Sequence, residues 1–119
     1  MKPEAKLQAK FFQHVHNLPE FRYCIWATPN GLFLNGNFGV INEMKATGAL
    51  KGVWDLTIQK GGKLFFIETK IGYNDLTKEQ KHFKNVRIKE GVPENHFFIY
   101  RTFEEGLKIL EEIKSIING

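Results

Sequence analysis

An α/β fold, with a central mixed sheet flanked by helices, follows from three features of the sequence. These are a hairpin signal at its middle, helical apolar stripes at both ends, and a capped helix set between two strand-like segments. Pro3 suits a first helical turn, and Leu7, Phe11, Val15 and Leu18 then recur on one helical face until Pro19 stops the pattern. Tyr23 to Thr28 is rich in β-formers and ends at Pro29-Asn30-Gly31, a turn signal, so it reads as the first strand. Between Leu32 and Gly52 frequent glycines erase any period, and the expectation is a loop region with a short helix over Ile41 to Thr47. Trp54 to Gln59 and Lys63 to Ile71 flank Gly61-Gly62, a two-residue hairpin connection. Thr77 with Gln80 three residues later forms a capping box and opens a helix that ends near Gly91. His96 to Tyr100 reads as the last strand. Thr102 with Glu105 opens a final helix carrying Leu107, Leu110, Ile113 and Ile117.

Composition narrows the function classes. The 119 residues suit one domain, which at this size buries about two-thirds of the surface of its unfolded chain. Eleven Phe supply core material without disulfides or structural metal. Seventeen basic against thirteen acidic residues give a net charge of +4, which suits a polyanionic partner. The single Cys24 excludes an intramolecular disulfide, lacks zinc-ligand spacing and fits a reducing cytoplasm. No signal core and no membrane-length apolar run is present, so no membrane partner is expected.

The hairpin carries the chemistry. With Gly61 and Gly62 in the turn, Lys60 faces Lys63, and counting back pair by pair sets Asp55 opposite Glu68. The two carboxylates then share one face with Cβ atoms about 5 Å apart, and Lys70, two residues beyond Glu68, joins them. Trp54, Leu56, Ile58, Phe65 and Ile67 form the opposite, packing face. Like charges directly opposite one another destabilise a hairpin, and a divalent cation between them removes the conflict. Hard oxygen ligands at that separation suit Mg²⁺ or Mn²⁺. Lys70 would orient or deprotonate an attacking water, or stabilise charge developing on a phosphoryl group. A plainer arrangement pairs Asp55 with Lys70 on a solvent-facing strand and leaves Glu68 solvated. It does not account for Gly52, nor for polar residues gathered at one end of otherwise apolar strands.

Three stretches carry a resemblance. They are Ala49-Leu50-Lys51-Gly52-Val53-Trp54-Asp55-Leu56-Thr57-Ile58, Leu64-Phe65-Phe66-Ile67-Glu68-Thr69-Lys70, and Asp75-Leu76-Thr77-Lys78-Glu79-Gln80. In this order they resemble the PD-(D/E)xK nuclease superfamily and, within it, the virus-type replication-repair nuclease (VRR-NUC) family. Pro29-Asn30-Gly31 upstream and Gly91 with His96 to Tyr100 downstream fall where that family has comparable elements. Trp54 departs from the pattern, standing where the family usually has Pro. The resemblance implies a restriction-endonuclease-like core, Mg²⁺ or Mn²⁺ dependence and phosphodiester hydrolysis at Asp55, Glu68 and Lys70. It also implies that Glu4, in the first helix, reaches the metal site, and that Gln80 lies near it. The main-chain carbonyl of Thr69 is a further candidate ligand. Free-standing members of bacteriophage type resemble Holliday-junction resolvases acting as homodimers on branched DNA. That places the expected work on DNA in a bacterial cytoplasm, or in the host cytoplasm for a phage-encoded chain.

The remaining residues add secondary expectations. Glu4 lies on the apolar stripe of Leu7, Phe11, Val15 and Leu18, although a first-turn acid also suits a helix N-terminus. Gln80 is accounted for by the capping box as well as by the family. His14, His16, His82 and His96 have no ligand spacing and read as packing or surface residues. Lys78, Lys81, Lys84, Arg87 and Lys89 make a basic helix that is either solvated or follows a phosphate backbone. Asn30, Gly31, Asn35 and Asn37, with Lys45, form a polar stretch able to touch DNA. Besides a branch-selective nuclease, the sequence admits a non-selective repair or restriction-type nuclease, and an inactive nucleic-acid-binding module.

Overall fold

Glycine sets the centre of the structure. Gly61 and Gly62 take φ values of 59° and 75°, the left-handed pair that a tight hairpin turn requires. They join β2 (Leu56–Lys60) to β3 (Lys63–Thr69), which pair antiparallel with Lys60 opposite Lys63 and Leu56 opposite Ile67, the expected register. The computed structural model describes residues 1–29 and 38–119. In chain order the remaining elements are α1 (Pro3–Asn17), β1 (Ile25–Ala27), α2 (Phe38–Ala46), α3 (Lys78–Lys89), β4 (Phe97–Tyr100) and α4 (Phe103–Asn118). Short 3₁₀ turns cover Pro19–Phe21 and Glu94–His96. The sheet runs β1-β2-β3-β4, with antiparallel pairs except for the parallel β3–β4 pair bridged by α3, as a mixed sheet flanked by helices requires.

Both faces of the sheet are packed. On one, Leu56, Ile58, Phe65 and Ile67 meet Phe11 and Val15 of α1 and Ile109, Leu110 and Ile113 of α4. On the other, Trp54, Phe66 and Phe97 pack with Phe83 and Ile88 of α3. This corrects the expected assignment of Trp54 to the Leu56 face. The chain bends at Asp55, before β2 begins, so strand alternation does not extend back to Trp54. Gly106 of α4 lets that helix close on α1, because a Cβ there would lie 2.6 Å from the Phe11 ring.

Several boundaries shift for local reasons. β1 is shorter than Tyr23 to Thr28 because Tyr23 adopts φ 62° and the Cys24 N–H closes a turn onto the Phe21 carbonyl. His96 ends a 3₁₀ turn rather than starting a strand, and its Nδ1 bonds the Leu64 carbonyl at 2.8 Å. The helix expected from Ile41 begins at Phe38 and ends at Ala46. The polar stretch of Asn30, Gly31, Asn35 and Asn37 lies outside the described residues. Among the described residues no helix is long and apolar enough to cross a membrane.

Candidate metal centre

The open end of the hairpin, away from Gly61-Gly62, is where α1 and α3 converge on the sheet. Asp55 is held there from several sides. Its N–H donates to Glu68 Oε1 at 3.0 Å, its Oδ2 accepts the Thr69 N–H at 3.0 Å, and its carbonyl accepts the Thr28 N–H at 2.9 Å. Glu68 Oε2 accepts from Gln80 Nε2 at 2.7 Å and lies 3.4 Å from Lys70 Nζ. Glu4, from the first turn of α1, completes the group, with one carboxylate oxygen from each of Glu4, Asp55 and Glu68 lying within 4.8 Å of the others. Asp55 and Glu68 are 4% and 2% exposed, which excludes the solvent-facing ion-pair arrangement.

Burial and crowding perturb these acids. Desolvation, reinforced by the Asp55 charge, raises the Glu68 pKa to about 7 against the opposing pull of Lys70. Burial and then Asp55 also raise Glu4. Three carboxylates face one ammonium, so full ionisation leaves two excess negative charges in a desolvated site. A divalent cation matches that deficit and these hard oxygen donors, and the residues present therefore fit Mg²⁺ or Mn²⁺.

Gln80 joins the cap of α3 to this centre. Its N–H donates to Thr77 Oγ1 at 3.1 Å, and its Oε1 accepts both the Thr77 N–H at 2.9 Å and Lys70 Nζ at 3.0 Å. The capping-box and near-site placements are thus two aspects of one side chain.

A solved structure described as a "VRR_NUC domain protein" matches this arrangement with a TM-score of 0.70, over 94% of this chain and 88% of that one. The chain has the fold of a VRR_NUC domain protein. Identity between the two is 18%, so the likeness is one of fold. No family model matches the sequence, and neither does any curated protein. The resemblance read from Ala49 to Ile58, Leu64 to Lys70 and Asp75 to Gln80 thus has a counterpart of the same description at the level of the fold.

Within the VRR_NUC fold, several supports escaped sequence reasoning. Trp54, the departure from the family pattern, donates its indole N–H to the Gln80 carbonyl at 3.1 Å and packs edge-on against Phe97 at 5.3 Å. Gly52, at φ 97°, lies so close to α3 that a Cβ would sit 2.5 Å from the Glu79 carbonyl carbon. Its position before Trp54-Asp55 was the available signal, and its contact was not. Thr69 Oγ1 donates to Tyr100 Oη at 2.7 Å beneath the acids, and nothing in the local sequence announces that pair. His96 stacks on Phe65 at 4.4 Å, a packing role. Lys81 and Lys84 of the basic helix pair with Asp75 and Glu94 at 3.5 and 3.9 Å. Lys45, in the last turn of α2, is exposed.

Proposed function

We propose that this chain is a metal-dependent endonuclease hydrolysing DNA phosphodiester bonds, with residues 1–119 acting as one nuclease domain. The observation that carries the reading is the cluster of buried Asp55 and Glu68 with half-buried Glu4 beside Lys70, on a fold shared with a VRR_NUC domain protein. Asp55, Glu68 and Glu4 would hold Mg²⁺ or Mn²⁺, with the Thr69 main-chain carbonyl as a further ligand. Bound there, the ion supplies Lewis-acid polarisation of a phosphoryl oxygen and a more acidic water. The chain's own residues do the positioning. Main-chain N–H groups of Asp55 and Thr69 fix one oxygen each of Glu68 and Asp55. Gln80 holds Lys70 Nζ at 3.0 Å, aiming an ammonium donor at the attacking water or at charge developing on phosphorus.

Branched DNA such as a Holliday junction is the substrate we favour, cut by a cytoplasmic homodimer. A twofold pair offers identical centres to two opposed strands, and doubling the +4 charge strengthens phosphate binding. Plasmid nicking and four-way-junction cleavage in Mg²⁺, Mn²⁺ or EDTA test the reading. Cleavage with either metal and none in EDTA is expected, and no cleavage of any DNA with either ion would sink it. Light scattering tests the dimer, and a mass near 13.8 kDa with and without junction DNA would refute it.

A further inference from the structure

Among the described residues β1 stands at the edge of the sheet and pairs with β2, and residues of β1 and α1 frame a groove of about 940 Å³. Among the described residues its walls carry Phe12 and His16 from α1 and Tyr23 and Trp26 from the β1 segment. Tyr23 and Trp26 are 86% and 44% exposed. His16 stacks on Phe12 at 5.4 Å and meets the Tyr23 ring edge-on at 5.2 Å, so these three rings form one aromatic surface. Tyr23 is the one non-glycine residue with positive φ among the described residues. Such a conformation costs stability in a residue with a bulky side chain, and here it sets an exposed ring against His16, whose Nδ1 accepts the Tyr23 N–H at 3.4 Å.

Two further observations give the groove a chemistry and a direction. Gln8 lines it and is 3% exposed, and its Oε1 has no hydrogen-bond partner among the described residues. A buried amide acceptor in that state has capacity for one N–H or O–H donor entering from the groove. One end of the groove is lined by chain neighbours of the candidate metal centre. Lys2 and Ala5 on one wall bracket Glu4, and Ala27 on the other precedes Thr28, whose N–H bonds the Asp55 carbonyl. Lys2, at that mouth, and Lys6, one turn along α1, are exposed cations.

We infer that this groove binds unpaired nucleobases of the substrate strand next to the bond to be cut, stacking them on Trp26 and Tyr23. The inference rests on the nuclease reading. Aromatic faces accept any base, lysines follow the backbone, and the Gln8 carbonyl accepts from a base N–H. A duplex cannot use such a groove without fraying, so single-stranded flanks or branch points are preferred over continuous helix.

Binding of an oligothymidylate single strand in EDTA tests the groove without requiring cleavage. Trp54 is buried and Trp26 half-exposed, so saturable quenching of tryptophan fluorescence reports on Trp26. Anisotropy of the labelled strand should show Trp26→Ala and Tyr23→Ala each weakening binding about tenfold, whereas Trp26→Phe, which keeps a stacking ring, retains most of the affinity. Circular dichroism checks that each variant is folded. Unchanged fluorescence, or alanine variants that bind like the parent, would overturn the proposal. A dimer that Trp26→Ala converts to monomer, with no quenching in the parent, would also overturn it and assign the groove to a second copy. Plasmid nicking in Mn²⁺ separates the two readings. Nicking without quenching removes the groove and leaves the nuclease, and quenching without nicking does the reverse.

Discussion

The hairpin brings like charges together at both of its ends, and the two ends resolve the conflict differently. At the turn, Lys60 is the partner of Lys63, both partly exposed beside the solvent-facing Gly61-Gly62. Water screens that pair, so its cost is small. At the open end, Asp55 and Glu68 meet with 4% and 2% exposure and Glu4 beside them. Solvent cannot screen them there. Burial instead pushes Glu68 toward protonation, and the remaining relief comes from Lys70 and, in the proposed function, from a bound cation. The same juxtaposition is therefore screened by water at one end and left as an excess of buried negative charge at the other.

Breaking the buried end should have the largest effect. Asp55→Asn keeps an acceptor for the Thr69 N–H but removes a ligand charge. Cleavage should fall by about 10³-fold or more, while apo thermal stability at pH 8 rises. An Asp55→Asn protein that cleaves at the parental rate would remove this residue from the centre. Next comes Lys70→Ala, expected to lower turnover by about 10²- to 10³-fold while calorimetric Mn²⁺ affinity changes little. Lost Mn²⁺ binding with intact cleavage would contradict the assigned role.

The pH dependence sharpens the comparison further. A carboxylate raised from its ordinary 4.5 to about 7 binds more protons in the folded than in the unfolded protein between those values. The stability of the metal-free protein should therefore fall as pH rises from about 4.5 to about 7 and level off above. Mg²⁺ or Mn²⁺ should raise the melting temperature more at pH 8 than at pH 5, because it binds the ionised acids. Thermal melts across this range with metal and with EDTA test both, and an EDTA profile that rises with pH would refute the charge account. The smallest effect belongs to the turn. Lys63→Glu places opposite charges across Lys60 and should change stability by about 0.2–1 kcal/mol, leaving cleavage unaltered. A loss of activity in that variant would show that the two ends are coupled.

The elements and the hairpin register were legible in the linear pattern because they rest on short-range rules. Gly-Gly admits the turn, alternation counts residues back from it, and Thr77 with Gln80 starts a helix wherever it is placed. That is why the opposition of Asp55 and Glu68 could be counted without coordinates, and why Glu4 stood out on an apolar stripe. Trp54 was misplaced by the same rule, since alternation fails where the chain bends at Asp55. The approach of Gly52 to Glu79, the indole bond from Trp54 to Gln80 and the Thr69–Tyr100 pair all join segments distant in sequence. No local propensity encodes such contacts. They arise when α3 packs on one face of the sheet and α1 on the other, and the burial this produces turns three carboxylates and a lysine into one coupled electrostatic centre.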